Sequence, residues 1–266
     1  MQNFPIGILD SGIGGLSVWQ EIVGLLSHES TIYICDQANI PYGTKSVEEI
    51  HFLARKLILF LLEKQVKLIV IACNTITVSC LDMLRQEFPQ LPIIGAVPVV
   101  KLAAEVSKKR KIGILSTTRT AESEYQKHII QTFAQDCTVI NEGTDELVPL
   151  IEKGSVEAVT QVLPNILKPF QTADIDTLAL GCTHYPFIEP QIEAILGSDV
   201  ELLDSGAAIA RHVQRILAQN QLFSQNKKAT YTFYTTGNNE RFEKVAKKLL
   251  KQAVRDKIGL VRAIRL

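Results

Sequence analysis

Two cysteines of this 266-residue sequence stand in matched settings: Cys73 within Ala72-Cys73-Asn74-Thr75 and Cys182 within Gly181-Cys182-Thr183-His184, each just after a short apolar run. A thiol between a strand's carboxyl end and a helix start meets the positive end of the helix dipole, which is expected to lower its pKa. A single cysteine there reads as a small buried hydrophobe. Two at equivalent points, each followed by polar residues, read instead as a pair of acid/base groups. Such a pair solves a defined problem, because inverting a stereocentre needs one group to remove a proton from one face while another delivers a proton to the opposite face. Cys35 and Cys137 are expected inside apolar strands and Cys80 one or two helical turns past Cys73, so packing accounts for all three.

Other residues cluster around the pair in sequence. Asp10 ends a strand expected beside that of Cys73, so it can tune that thiol, hold a ligand ammonium or cap its own helix. His184 shares a polar turn with Cys182 and can assist it. Tyr42-Gly43-Thr44 follows the second strand, and Glu152 lies in the corresponding loop region of the second half. The turn Asp10-Ser11-Gly12-Ile13-Gly14-Gly15 exposes backbone N–H groups to an anion. Ser17 replaces the third glycine of a dinucleotide fingerprint and no Gly-Lys-Ser/Thr follows, so a small carboxylate fits better than a nucleotide, with Asp36 the remaining argument for NAD.

The elements that must place these residues alternate between short apolar runs and longer helical patterns, the mark of βαβ units around buried parallel sheets. Strands are predicted at residues 6–10, 31–36, 68–72 and 92–96, and again at 112–116, 137–142, 177–181 and 200–204. The two sets pair in order. Ile6 maps to Ile112 and Ile34 to Ile140, 106 residues apart, while Cys73 maps to Cys182 and Ile94 to Leu203, 109 apart. The expected fold is therefore α/β, with two pseudosymmetric doubly wound parallel-sheet lobes and the active site between them. Residues 1–97 with 208–266 are expected to form one lobe and 98–207 the other, the late run at 230–237 returning to the first. Ser46 and Glu49 form a capping-box pattern ahead of a packing helix from Ile50, and a second helix is expected from Phe242 to Val254 with its lysines in solvent.

Composition excludes several classes. The 28 basic and 28 acidic residues cancel and 46% of the chain is apolar, which argues against disorder and against an electrostatic grip on nucleic acid. Ser107 to Lys111 reads as a solvated helix end. The start MQNFPIG lacks a basic segment before an apolar stretch, and the apolar runs are far shorter than the roughly 20 residues of a membrane span, so a soluble cytoplasmic protein with no membrane partner is expected. Five cysteines without CxxC fit reduced thiols, and a zinc site from Cys73, Cys182 and His184 lacks a fourth ligand at motif spacing.

The blocks DSGIGG (10–15), PYGT (41–44), ACNT (72–75) and GCTHYP (181–186), in this order and near these spacings, resemble the cofactor-independent glutamate racemases across essentially the whole chain. The resemblance implies interconversion of L- and D-glutamate, supplying the D-isomer for peptidoglycan, with no metal and no cofactor, often in a homodimer. It implies Cys73 as the base for the D-isomer and Cys182 for the L-isomer, assisted by Asp10, Glu152 and His184. It also implies a substrate lining of Asp10, Ser11, Tyr42, Gly43, Asn74, Thr75, Thr183 and His184. Lys45 and Ile13 depart mildly from the family pattern. Aspartate racemase is the nearest alternative. A cysteine hydrolase or amidotransferase using Cys182 with His184 is disfavoured, because an i, i+2 pair on one turn rarely makes the contact such a dyad needs. A two-lobed solute-binding protein would not need paired thiols.

Overall fold

A computed structural model describes residues 2–96 and 99–266. The expected lobe boundary at 97/98 falls on residues outside that description. The chain runs β1 (Ile6–Asp10), a 3-10 turn into α1 (Leu16–Leu25), β2 (Thr31–Cys35), α2 (Val47–Glu63), β3 (Leu68–Ile71), α3 (Asn74–Glu87), β4 (Ile93–Ile94) and α4 (Val100–Val106). It continues through β5 (Lys111–Ser116), α5 (Thr118–Glu122), α6 (Glu124–Phe133), β6 (Thr138–Gly143), α7 (Leu147–Glu152), α8 (Val156–Ala173), β7 (Thr177–Gly181), α9 (Glu189–Leu196) and β8 (Glu201–Leu203). Last come α10 (Gly206–Gln219), β9 (Tyr231–Thr235), α11 (Asn239–Leu249), α12 (Gln252–Arg255) and β10 (Val261–Ala263).

All pairings are parallel. The first sheet has the order β10-β9-β2-β1-β3-β4 and the second β6-β5-β7-β8, so the four-strand motif 2-1-3-4 occurs twice. The central strands of both sheets are buried on both faces, and their alternate residues feed different cores. Leu68, Val70 and Ala72 pack with Trp19, Ile209 and Phe242 beneath α1, α10 and α11, whereas Ile69 and Ile71 pack with Leu57, Ile58 and Ile76 beneath α2 and α3. The second sheet divides likewise, Leu178 and Leu180 facing α7 to α9 and Ala179 facing α4 and α6. The Ser46–Glu49 capping box forms at the start of α2.

The repeat differs from its sequence alignment in one strand. Gly7 faces Ile32 in the first sheet and Gly113 faces Ile140 in the second, so Ile140 is the counterpart of Ile32, not of Ile34. A slip of two residues keeps every side chain on its face, which is why the apolar pattern did not resolve it. The helix expected from Phe242 to Val254 breaks at Leu250 and Lys251 between α11 and α12. Cys137 precedes β6 and is half-exposed, not inside the strand. The basic run lies just past α4, where the Asp176 carboxylate accepts from Ser107 Oγ and the Lys108 and Lys109 amides. Among the described residues no helix is long and apolar enough to cross a membrane.

Candidate active site

The central strands of both sheets end at one place. Asp10 closes β1 and is followed by Ser11; beside it, β3 leads into Cys73, the extended N-cap residue of α3. In the second sheet Ser116 closes β5 before Thr117, and β7 leads into Cys182. Both thiols line one cavity, together with Ser11, Tyr42, Gly43, Asn74, Thr75, Thr183 and His184. Pro41, Thr117, Asp145 and Val148 also line it and were not singled out from sequence. Thr117 was findable, since the 106-residue offset that relates the first strands carries Ser11 onto it. Asp145 and Val148 lie around the start of α7 and carry no sequence signal. The cavity holds only about 10 Å³, on the order of the room one water needs. The amide Nδ2 of Asn74 and Oδ1 of Asp145 are buried there without a hydrogen-bond partner.

Asp10 and Glu152 do not line the cavity but lie behind it. Asp10 accepts the Gly12 amide at 2.8 Å and the Thr183 hydroxyl at 3.2 Å. Glu152 is the last residue of α7, not part of a loop. Its Oε1 accepts the Ile13 amide at 2.6 Å and pairs with His184 Nε2 at 2.7 Å, and its Oε2 accepts Gln37 Nε2 at 2.6 Å. Within the glycine-rich turn, the Ile13 N–H is thus taken by an anion of the protein itself, Glu152. The glycines give that side of the site its room. A Cβ on Gly12 would collide with Glu152 Oε1, and one on Gly14 with the His184 imidazole. Asp36 accepts from Tyr42, Asn39 and Thr236. With its lone pairs so used, it orients the Tyr42 ring instead of offering itself to a ribose.

His184 lies against Cys182 after all, with Sγ to Nδ1 at 3.8 Å. An i, i+2 pair on one turn is expected to make such a contact only rarely. The chain instead bends through His184 into a 3-10 turn at Tyr185–Ile188, which folds the imidazole back. The electrostatics of the two thiols diverge. Burial, then the nearby Asp10 carboxylate, pushes Cys73 up to about 12, so the lowering expected from the helix start is outweighed. Ser11 Oγ stands 3.5 Å from its sulfur. Burial alone would lower His184, but its bonds to Cys182 and Glu152 raise it well above the usual histidine range. Burial would raise Glu152, but the bond and charge of His184 together with the bonds from Gln37 and the Ile13 amide outweigh it, leaving it below its ordinary value. Burial, with Glu152 adding to it and His184 opposing, lifts Asp10 to about 6. Among the described residues no group of three or more His, Cys, Asp or Glu is arranged to hold a metal ion.

The Asp/Glu/hydantoin racemase family model matches residues 6–213. A curated glutamate racemase from Stutzerimonas stutzeri (strain A1501) is 42% identical over 243 residues, 91% of this chain and 92% of that protein. The crystal structure of a glutamate racemase isoform from Bacillus anthracis has a TM-score of 0.88 at 34% identity, covering 100% of this chain and 99% of that one. A Francisella tularensis glutamate racemase crystallised with D-glutamate has a TM-score of 0.86 at 32% identity, with 100% and 98% covered.

Proposed function

The chain belongs to the glutamate racemases of the Asp/Glu/hydantoin racemase family, and from that membership we propose that it interconverts L- and D-glutamate by proton transfer between two thiols. The observation that carries the proposal is the lining of one cavity by Cys73 and Cys182 from the matching strand ends of two sheets. In the L-to-D direction the Cys182 thiolate takes the Cα proton, the C–H electron pair stays on Cα, and the Cys73 thiol delivers its proton to the opposite face. The thiol protonation states are exchanged at the end of the step, and turnover of the D-isomer or exchange with solvent restores them. No electron acceptor is needed, because every proton has a sulfur to leave from or arrive at.

The surroundings support this division of roles. His184, held as a cation by Glu152, stabilises a thiolate at Cys182. Cys73, with its pKa raised, keeps its proton and starts as the acid. The unpartnered Asn74 Nδ2 supplies a donor for a substrate carboxylate, with Ser11, Thr75, Thr183, Tyr42 and Gly43 completing the lining. A cavity this small must open to admit glutamate. We assign that motion to the unit of residues 1–97 with 208–266 moving against 98–207. The enzyme on this reading works in the cytoplasm, supplies D-glutamate for peptidoglycan and acts as a homodimer.

Chiral chromatography of glutamate and aspartate incubations tests the reading. Both glutamate enantiomers should approach a 1:1 mixture while aspartate turns over far more slowly, and Cys73→Ala or Cys182→Ala should each lower kcat by roughly 10³-fold or more. Full racemisation with either thiol missing would contradict it. Faster aspartate turnover would favour the aspartate racemase alternative. Ester or amide cleavage dependent on Cys182 alone would favour a hydrolase, whose nucleophile and base the Cys182–His184 contact resembles.

A further inference from the structure

The Glu152 carboxylate has two unequal ends. Oε1 takes two donors, the Ile13 amide and His184 Nε2, whereas Oε2 takes only Gln37 Nε2. Gln37 lies in the turn after β2, on the first sheet's side, and Glu152 ends α7 on the second sheet's side. The far end of the Gln37 amide is fixed as well. Thr235 Oγ1 receives the Gly237 amide at 3.0 Å and donates its own proton to Gln37 Oε1 at 2.8 Å, which dictates which end of the amide is the N–H. A Cβ on Gly237 would crowd Gln37 Cβ at 2.8 Å. An unbroken hydrogen-bonded line therefore runs from Thr235 through Gln37, Glu152 and His184 to the Cys182 sulfur. Gln37 is absent from the thiol cavity; it borders a separate cleft with Lys153, Asn238 and Arg241.

We propose that Gln37 is a positioning residue for racemisation, its amide fixing the rotation of the Glu152 carboxylate and so the direction in which His184 Nδ1 meets Cys182. The inference rests on the reading of Cys182 as the base for the L-isomer. A carboxylate held at one oxygen alone can swing about its own axis, and with it the imidazole that it orients. Inside the protein the Glu152 carboxylate is faced by His184, Asp10, Tyr33 and Cys35, and on the cleft side by Lys153 and Arg241. Burial keeps Tyr33 and Cys35 neutral, so the acid-side titrations left are those of Glu152 and Asp10.

Gln37→Met, which keeps the length and loses both hydrogen bonds, should lower kcat roughly tenfold, the size of one charge-assisted hydrogen bond, with KM for glutamate little changed. Its acid limb of kcat/KM should move to higher pH, since a carboxylate with one donor fewer takes a proton more readily. That move must be equal in both directions, because enantiomers have equal free energies. The isotope effect separates a positioning role from a structural one. With Cα-deuterated substrate, the effect on kcat/KM should grow from the L-isomer and shrink from the D-isomer, because the barrier on the Cys182 side now dominates. Gln37→Glu should show the same asymmetry and covers the case in which Gln37→Met does not fold. Cys182→Ser is the control. If it leaves the isotope effects symmetric, the two-thiol reading fails; if it skews them while both Gln37 variants match the wild type, the positioning role of Gln37 is overturned.

Discussion

The Cys73 and Cys182 half-sites share a backbone plan and differ in charge. Each thiol follows the third strand of a repeated motif, yet Cys73 has an acid and a hydroxyl for neighbours while Cys182 has an imidazole backed by a buried carboxylate. In the proposed mechanism the half with the raised thiol starts as the acid and the half with the imidazole as the base, so the duplicated topology would supply two positions for proton transfer and the surrounding side chains their roles. The difference reaches the turns as well. On the first sheet's side the strand-to-helix turn is stripped to Gly12 and Gly14 so that Glu152 and His184 of the second can approach, while the chain after Cys182 bends through a 3-10 turn so that His184 can reach back.

The comparison can be broken first at Gly14. Gly14→Ala drives a methyl group into the His184 imidazole and the Thr183 hydroxyl. Displacing a positioned group by about 1 Å costs on the order of 10²-fold, so kcat should fall by that amount. Gly24→Ala, whose Cβ meets open space at the exposed last turn of α1, should leave kcat unchanged and gain about 0.5–1 kcal/mol of stability. Equal activity of both variants would show that the imidazole does not depend on that approach.

A smaller effect sharpens the other half. The Asp10 carboxyl sits at about 6 in the fold against an ordinary 3.8. Its contribution to stability is thus fully present below 3.8 and is lost as pH rises through 6, where the buried group must ionise. Asp10→Asn removes that penalty. Its stability relative to the wild type should rise by roughly 2–3 kcal/mol between pH 4 and pH 8, read from denaturant unfolding at each pH. The same substitution removes the anion that helps to push Cys73 up, so alkylation of Cys73 should set in at lower pH. A stability difference independent of pH would remove Asp10 from the account of that thiol.

The repeat was legible because parallel strands buried on both faces announce themselves as apolar runs, and the thiol pair because cysteine stood at the same strand end twice. What stayed hidden depends on one sheet meeting the other. Nothing local connects Gln37 with Glu152 and His184, which lie far from it in sequence, and it meets Glu152 only across the two sheets. The approach of Glu152 to the glycine turn carries no sequence signal, because the requirement for room is the same whether the anion is free or a side chain. β10 escaped notice as three residues, two of them exposed, that pair only with β9.

The central claim is that one sulfur serves each face of Cα, and the fate of the Cα hydrogen in D₂O tests it most directly. At low conversion of protiated L-glutamate, the account predicts D-glutamate carrying solvent deuterium at Cα while the remaining L-glutamate stays protiated. D-glutamate that retains the substrate's own hydrogen, or deuterium entering L-glutamate before any D-isomer forms, would mean that a single group works both faces.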